Sequence, residues 1–204
     1  TGTIVTSDVQ GTATVTVRAV DYAGNIGTVD SGCIVIDTVA PTVVNGVMVP
    51  TYQRVGNLNV PFWTTEKVTT PTVTINGRSA VVSAGASNGV TESYVASVAI
   101  ATGDSQGTAS VQVSVSDWAG NFGALGISNY VIDTVSPTMS ANSPSRSVVS
   151  TGNLSLDWTV GEWVDVYLAQ VNGSDAQVST SSAGGNMIRV TTSKMITAGE
   201  TQGL

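Results

Sequence analysis

The sequence predicts an all-β chain made of tandem β-sandwich repeats, and three observations predict it. The first is a phrase that returns without a gap. Asp21-Tyr22-Ala23-Gly24-Asn25 reappears as Asp117-Trp118-Ala119-Gly120-Asn121, and Ile36-Asp37-Thr38-Val39-Ala40-Pro41 reappears as Ile132-Asp133-Thr134-Val135-Ser136-Pro137. Positions 21 and 117, 37 and 133, and 41 and 137 all differ by 96, and a constant period of this length marks a repeat array. The second is composition: charged residues are 10% of the 204, against about 25% in ordinary globular chains, while Thr, Ser, Val and Gly abound. Strand faces carrying hydroxyls in place of Lys and Glu suit that composition. The third is alternation. Val15, Val17 and Ala19 fall on one face and Thr14, Thr16 and Arg18 on the other, the period of a half-buried strand.

Taken in order, residues 1–38 predict the C-terminal strands of a partial repeat. Thr3 to Thr6 are β-branched or apolar, Gly11 to Asp21 alternate, and Cys33 to Asp37 form a last strand. Between them Gly24 supplies a positive φ and Asp21 bonds backbone N–H groups of the turn. Cys33 stands alone, which excludes an intrachain disulfide framework and predicts a buried thiol at a strand edge. Residues 39–134 predict one complete unit, with strands near Thr42–Val49, Leu58–Trp63, Thr72–Ile75, Ala80–Ser83, Tyr94–Ala101, Ala109–Ser116 and Asn129–Asp133. Seven short strands in about 100 residues match an immunoglobulin-like sandwich of two antiparallel sheets. Asn76-Gly77 is a hairpin signal, and Pro61, which cannot donate to a ladder, predicts an edge strand or a bulge. Residues 135–204 restart the unit as its N-terminal strands: Gly152-Asn153-Leu154 answers Gly56-Asn57-Leu58, Glu162 answers Glu66, Asn172-Gly173 answers Asn76-Gly77, and Gly199, Gln202 and Gly203 answer Gly103, Gln106 and Gly107.

These motifs carry a resemblance. The Asp-x-x-Gly-Asn turn followed by Ile-Asp-Thr-Val-x-Pro, present twice, resembles the bacterial Ig-like repeats of large extracellular surface adhesins. The resemblance covers the whole chain as repeat architecture and rests on some ten residues per repeat. It implies tandem Ig-like sandwiches in an extended stalk, spacer or filament body at a cell surface, with calcium at the joints. The chain has fewer acidic residues around each joint than the richest calcium-binding members.

Seven Lys and Arg against fourteen Asp and Glu give a net charge of −7, with no basic patch for nucleic acid or anionic lipid. No stretch approaches the ~20 apolar residues of a membrane span. The candidate calcium ligands are Asp21, Asn25, Asp37, Asp117, Asn121 and Asp133, with Glu66, Glu162, Asp8 and Asp104 at the same end; the competing reading is that Asp21 and Asp117 only hold their own turns. Absence of His removes the commonest general base, so the expectation is a non-enzymatic protein, although Asp157, Glu162 and Asp165 sit close in sequence. Trp63 and Trp158 are read as core tryptophans, one residue out of register after a deletion. Trp118 and Trp163 are the candidate ligand-binding aromatics of the rival reading, a carbohydrate- or surface-binding adhesin tip. Asn153 and Asn172 match the glycan acceptor pattern. The partners expected are neighbouring repeats or copies of the chain, with surface glycans under the rival reading, and the expected location is extracellular. The sequence reads as a window of a longer array; the alternative is head-to-tail strand complementation, residues 1–38 of one copy completing 135–204 of the next.

Overall fold

The computed structural model describes residues 2–47, 49–142, 151–165 and 167–197; Gly199, Gln202, Gly203 and the side chain of Cys33 lie outside this set. The chain is all-β, with no helix among the described residues. It divides into two compact units, Thr1–Thr134 and Val135–Leu204.

Alternation over the first residues yields a hairpin of β1 (Gly11–Val20) and β2 (Ile26–Ile36), which forms a two-stranded sheet of its own. β2 begins well before the Cys33–Asp37 strand expected from sequence. Thr3 to Thr6 lead instead into a turn, in which Val5 N donates to Asp8 Oδ2 at 2.8 Å. The strands pair from Gly11↔Ile36 to Val20↔Ile26, with an irregularity at Ala13/Thr14. Nearly every β1 side chain is exposed, the valines included.

Residues 43–132 build two layers over one core. β3 (Val43–Asn45), β5 (Gly56–Thr64), β8 (Val81–Ser87) and β9 (Glu92–Ile100) form one sheet, ordered β3-β5-β9-β8. β6 (Thr72–Ile75), β7 (Arg78–Ser79), β11 (Val111–Ser116) and β12 (Phe122–Ile127) form the second, ordered β12-β11-β6-β7. A third, smaller sheet joins β4 (Thr51–Gln53), β10 (Gly107–Thr108) and β13 (Tyr130–Ile132), with β13 parallel to β4. Leu58, Val60 and Phe62 of β5 meet Val111, Val113 and Val115 of β11, and Tyr130 and Ile132 close the end of the same buried cluster. Alternate burial along β5 and β11 is the direct outcome of the period-two pattern. Asn76-Gly77, both at positive φ (49° and 76°), make the tight turn between β6 and β7, the geometry that Asn-Gly favours because it matches strand twist.

Two expectations are corrected. Pro61 lies in β5, a strand paired on both sides, and not on an edge. Backbone N and O of one antiparallel residue point to the same neighbour. Pro61 O accepts from Gly46 N at 2.9 Å, so its missing donor faces the chain just beyond the last residue of β3. A Cβ at Gly46 would come within 2.7 Å of that carbonyl, and only glycine permits the approach. The second correction concerns Trp63. Phe62 is the inward residue, 1% exposed and stacked on Tyr94, whereas Trp63 is 39% exposed. β12 and β4 are further additions, because Phe122–Ile127 is broken by Gly and Ala and gives a weak strand signal.

The second unit comprises β14 (Met139–Ala141), β15 (Gly152–Val160), β16 (Gln170–Val171), β17 (Ser174–Asp175), β18 (Gln177–Gly184) and β19 (Met187–Ile196). Its main sheet is ordered β14-β15-β19-β18, and β16 and β17 form a separate ribbon. Its ladders carry the 96-residue offset: Gly152↔Ile196 stands for Gly56↔Ile100, and Met139↔Val160 for Val43↔Thr64. No deletion separates them, so Trp158, paired with Val190, stands for Phe62 and not for Trp63. It lies half-buried against Val160, Ile188 and Val190.

Phe62→Ala is expected to cost about 3–5 kcal/mol, and Trp63→Ala roughly 1 kcal/mol. Urea unfolding of the two variants checks the assignment; equal losses would overturn it.

Candidate functional site

The Asp-x-x-Gly-Asn turns are built alike from the inside. At the first, Asn25 N and Nδ2 donate to the two carboxylate oxygens of Asp21 at 2.9 and 2.7 Å, and Ala23 N to Oδ1 at 2.8 Å. At the second, Asn121 N and Nδ2 donate to those of Asp117 at 2.9 and 2.7 Å. Short polar side chains capture local backbone donors in this way wherever a strand must reverse. The turn-holding reading of Asp21 and Asp117 is therefore correct as far as it goes.

Their surroundings differ. Asp21 and Asn25 are exposed at the end of the β1–β2 hairpin. Asp117 is 4% exposed. Beside it lies the segment that follows β2: Asn121 Nδ2 also donates to the backbone carbonyl of Asp37 at 3.1 Å, and Val39 N caps the Asp37 carboxylate at 3.0 Å. A third acid arrives from the end of β5. Thr64 Oγ1 donates to Glu66 O at 2.7 Å, and Thr65 N to Thr42 O at 3.1 Å, so the chain carrying Glu66 is tied at both sides. Carboxylate oxygens of Asp37, Glu66 and Asp117 then lie within 4.8 Å of one another.

Such a cluster is electrostatically costly. Two unit charges 4 Å apart repel by about 4 kcal/mol at an effective dielectric near 20, more than any single hydrogen bond of the turn returns. Glu66 registers the cost: burial, then the charges of Asp37 and Asp117, push its carboxyl above the usual glutamate range. Burial also acts upward on Asp117, but the donors of Asn121, Gly120 and Ala119 together outweigh it and hold that group below the usual range. Asp21 is lowered by the side chain of Asn25 first and then by backbone donors. The acid that yields a proton least readily is thus Glu66.

The donor set fits a hard dication. Three carboxylates offer up to six oxygens, with no imidazole or thiolate among them, and calcium takes six to eight oxygen ligands. Asp37, Glu66 and Asp117 would hold the ion, Asn121 would orient Asp117 and Asp37, and the ion would supply the positive charge that the cluster lacks. Of the residues proposed from sequence, the structure brings together Asp37, Asp117 and Asn121 with Glu66, one of the four further acids expected at the same end. It does not place Asp21, Asn25 or Asp133 with them; Asp133 follows β13, its N donating to Gln53 O at 2.9 Å. Asp104 is engaged by Arg78 at 2.8 Å and Asp157 by Thr191 Oγ1 at 2.7 Å. Trp118 and Trp163 are 81% and 74% exposed.

No protein-family model matches the chain, and no curated protein matches it.

The raised Glu66 carboxyl makes a signed prediction. The folded state binds this proton more tightly than the unfolded one, so stability falls as pH rises from the ordinary value of 4.5 through the folded value, and the penalty is complete above it. The lowered Asp117 works in the opposite sense, and its contribution is lost only as pH falls below the ordinary 3.8. In chelator, wild type is expected to lose stability as pH rises above the ordinary glutamate value of 4.5, a loss that Glu66→Gln does not share. Thermal unfolding across that range checks it; parallel curves would refute the cluster's repulsion.

Proposed function

We propose that the chain is a non-enzymatic, extracellular structural module, a run of tandem immunoglobulin-like sandwiches in the stalk, spacer or filament body of a bacterial surface adhesin, with calcium at the joint. One observation carries this reading: the residue that ends one repeat phrase, Asp37, meets the closing turn of the next, Asp117 to Asn121, and both meet Glu66. A cation shared by the three would tie the end of β2 to the sandwich that follows. Bending at residues 37–41 would then require breaking ligand bonds, and a row of such joints would transmit force and hold distance. Close packing supports the same role, because Gly123 of β12 lies so near the carbonyl of Pro41 that no side chain fits between them.

The composition agrees with an exposed, repetitive protein, having 10% charged residues and no His. No helix among the described residues is long and apolar enough to cross a membrane.

Calcium is expected to raise the unfolding temperature of residues 1–134 saturably. At a hundredfold excess over Kd the gain is about 2.7 kcal/mol, or roughly 5–10 °C for a unit of this size. Asp37→Asn and Asp117→Asn should remove most of it. A calcium response unchanged in both variants would take the metal out of the joint.

The rival reading rests on Trp118 and Trp163, which stand exposed as sugar-stacking rings do. A stalk predicts no change in tryptophan fluorescence on titration with glycans; saturable quenching abolished by Trp118→Ala would replace the stalk with an adhesive tip.

A further inference from the structure

We propose that Asn88-Gly89, in the loop between β8 and β9, is a site of self-modification, where the folded chain closes a succinimide and converts Asn88 to aspartate and isoaspartate. The proposal is independent of the stalk reading and of calcium at the joint.

Four Asn-Gly steps occur in the sequence: Asn45-Gly46, Asn76-Gly77, Asn88-Gly89 and Asn172-Gly173. Glycine favours ring closure after any asparagine, because no Cβ shields its nitrogen and its backbone turns freely. The dipeptide alone therefore ranks the steps equally. The fold separates the three that lie in residues 39–134.

In the reaction the N–H of Gly89 gives up its proton to solvent base, and the nitrogen attacks Cγ of Asn88. Oδ1 takes the negative charge of the tetrahedral intermediate. The bond from Cγ to Nδ2 then breaks, and that nitrogen leaves as ammonia after taking a proton from water. Water opens the five-membered ring at either carbonyl. One opening gives aspartate; the other breaks the original peptide link and leaves isoaspartate, whose backbone is longer by one carbon. In sum an amide and a water are consumed, and a carboxylate and an ammonium ion are formed.

The structure around Asn88 serves these steps. Val90 N and Thr91 N both donate to Asn88 Oδ1, at 3.0 and 2.7 Å. A side chain folded back onto N–H groups two and three residues on lies over the intervening peptide, which brings Cγ toward Gly89 N. The same two donors point at the atom on which charge develops, the arrangement that stabilises an oxyanion. Gly89 N donates to Ser87 Oγ at 3.2 Å, a long contact that water readily replaces. Nothing lies within 4 Å of a Cβ built on Gly89, and residues 88–90 are exposed. Base and water therefore reach the loop.

The other two steps are held against closure. Asn45 makes a similar turn, with Val47 N donating to its Oδ1 at 3.1 Å, but Gly46 N is committed to Pro61 O at 2.9 Å. The leaving nitrogen of Asn45 is held as well, donating to Val47 O and to Asn129 Oδ1. Asn76 Oδ1 accepts from Ser110 N at 2.8 Å, which draws the side chain toward the segment before β11 and away from its own next peptide. Conversion at Asn88 adds a negative charge and, as isoaspartate, a backbone carbon. The β8–β9 ladder is already irregular between Ala84 and Ser87, and no core residue lies between Ala84 and Glu92, so the altered loop stays within a folded unit.

The experiment is peptide mapping of the 204-residue chain by mass spectrometry, after incubation in mildly alkaline buffer. One sample is folded and one is held in guanidinium, and aspartate and isoaspartate are counted at each asparagine. In guanidinium, positions 45, 76 and 88 are expected to convert at similar rates. Folding is expected to slow positions 45 and 76 at least tenfold and to leave position 88 as fast as in guanidinium or faster. Folding that slows position 88 as much as the other two overturns the proposal. So does a folded chain in which all three convert at one rate, because the loop would then contribute nothing.

Discussion

A β-sheet with one apolar face must have that face covered, and every other feature of this chain answers to that constraint. Within residues 43–132 the cover is internal: β11 and β12 lie over β5 and β9, and residues such as Val60, Ile75, Val111 and Val113 reach zero exposure. Burial of that kind is worth about 1.5–3 kcal/mol for each large side chain, and it is the only large favourable term in a chain with so few charges. Among the described residues the β1–β2 hairpin is a two-stranded sheet of its own, with its valines exposed. The second unit has the sheet, with a core of Val160, Ile188 and Val190 that Trp158, Val164, Tyr167 and Val178 only partly enclose.

The turn that ends the covering layer does two jobs because of where that layer ends. Asp117 is fixed by its own Asn121, as Asp21 is by Asn25, and the local hydrogen bonds are nearly superimposable in length. Only the complete sandwich carries its turn to the side of Asp37 and Glu66. Hydrogen bonding within the turn keeps Asp117 ionised despite burial, and Glu66 is raised first by its own burial and then by the charges of Asp37 and Asp117. A turn that merely reversed the chain would have no reason to bury its acid against two others. The geometry stores repulsion that a hard cation would relieve.

Much of this was legible in the sequence, for reasons that are local. Asn76-Gly77 and Asn172-Gly173 adopt the positive φ pairs their residue types favour, and the β1 and β11 strands follow their alternation. The misses share a cause, which is that alternation gives two faces without saying which is inside. Phe62 and Trp63 are adjacent aromatics, and a shift of one residue exchanges them; the choice is made by the ladder to Tyr94, remote in sequence. Pro61 is tolerated in a central strand because β3 stops one residue short of needing its missing donor. Glu66 is expected from sequence only at the same end as the candidate ligands, and its place beside Asp37 and Asp117 depends on how β5 ends relative to both. Pairwise spacing along the chain carries no signal for such a three-way meeting.

Charge poverty sharpens the consequence for the edges. Soluble sheets commonly guard their outer strands with lysine, proline or an inward charge. Here seven cationic residues serve all 204 positions, and β1 carries only Arg18 along ten residues otherwise made of Gly, Ala, Val and Thr. An edge so lightly guarded is protected by being paired. In the complete unit the pairing of β11 with β6 removes the edge altogether.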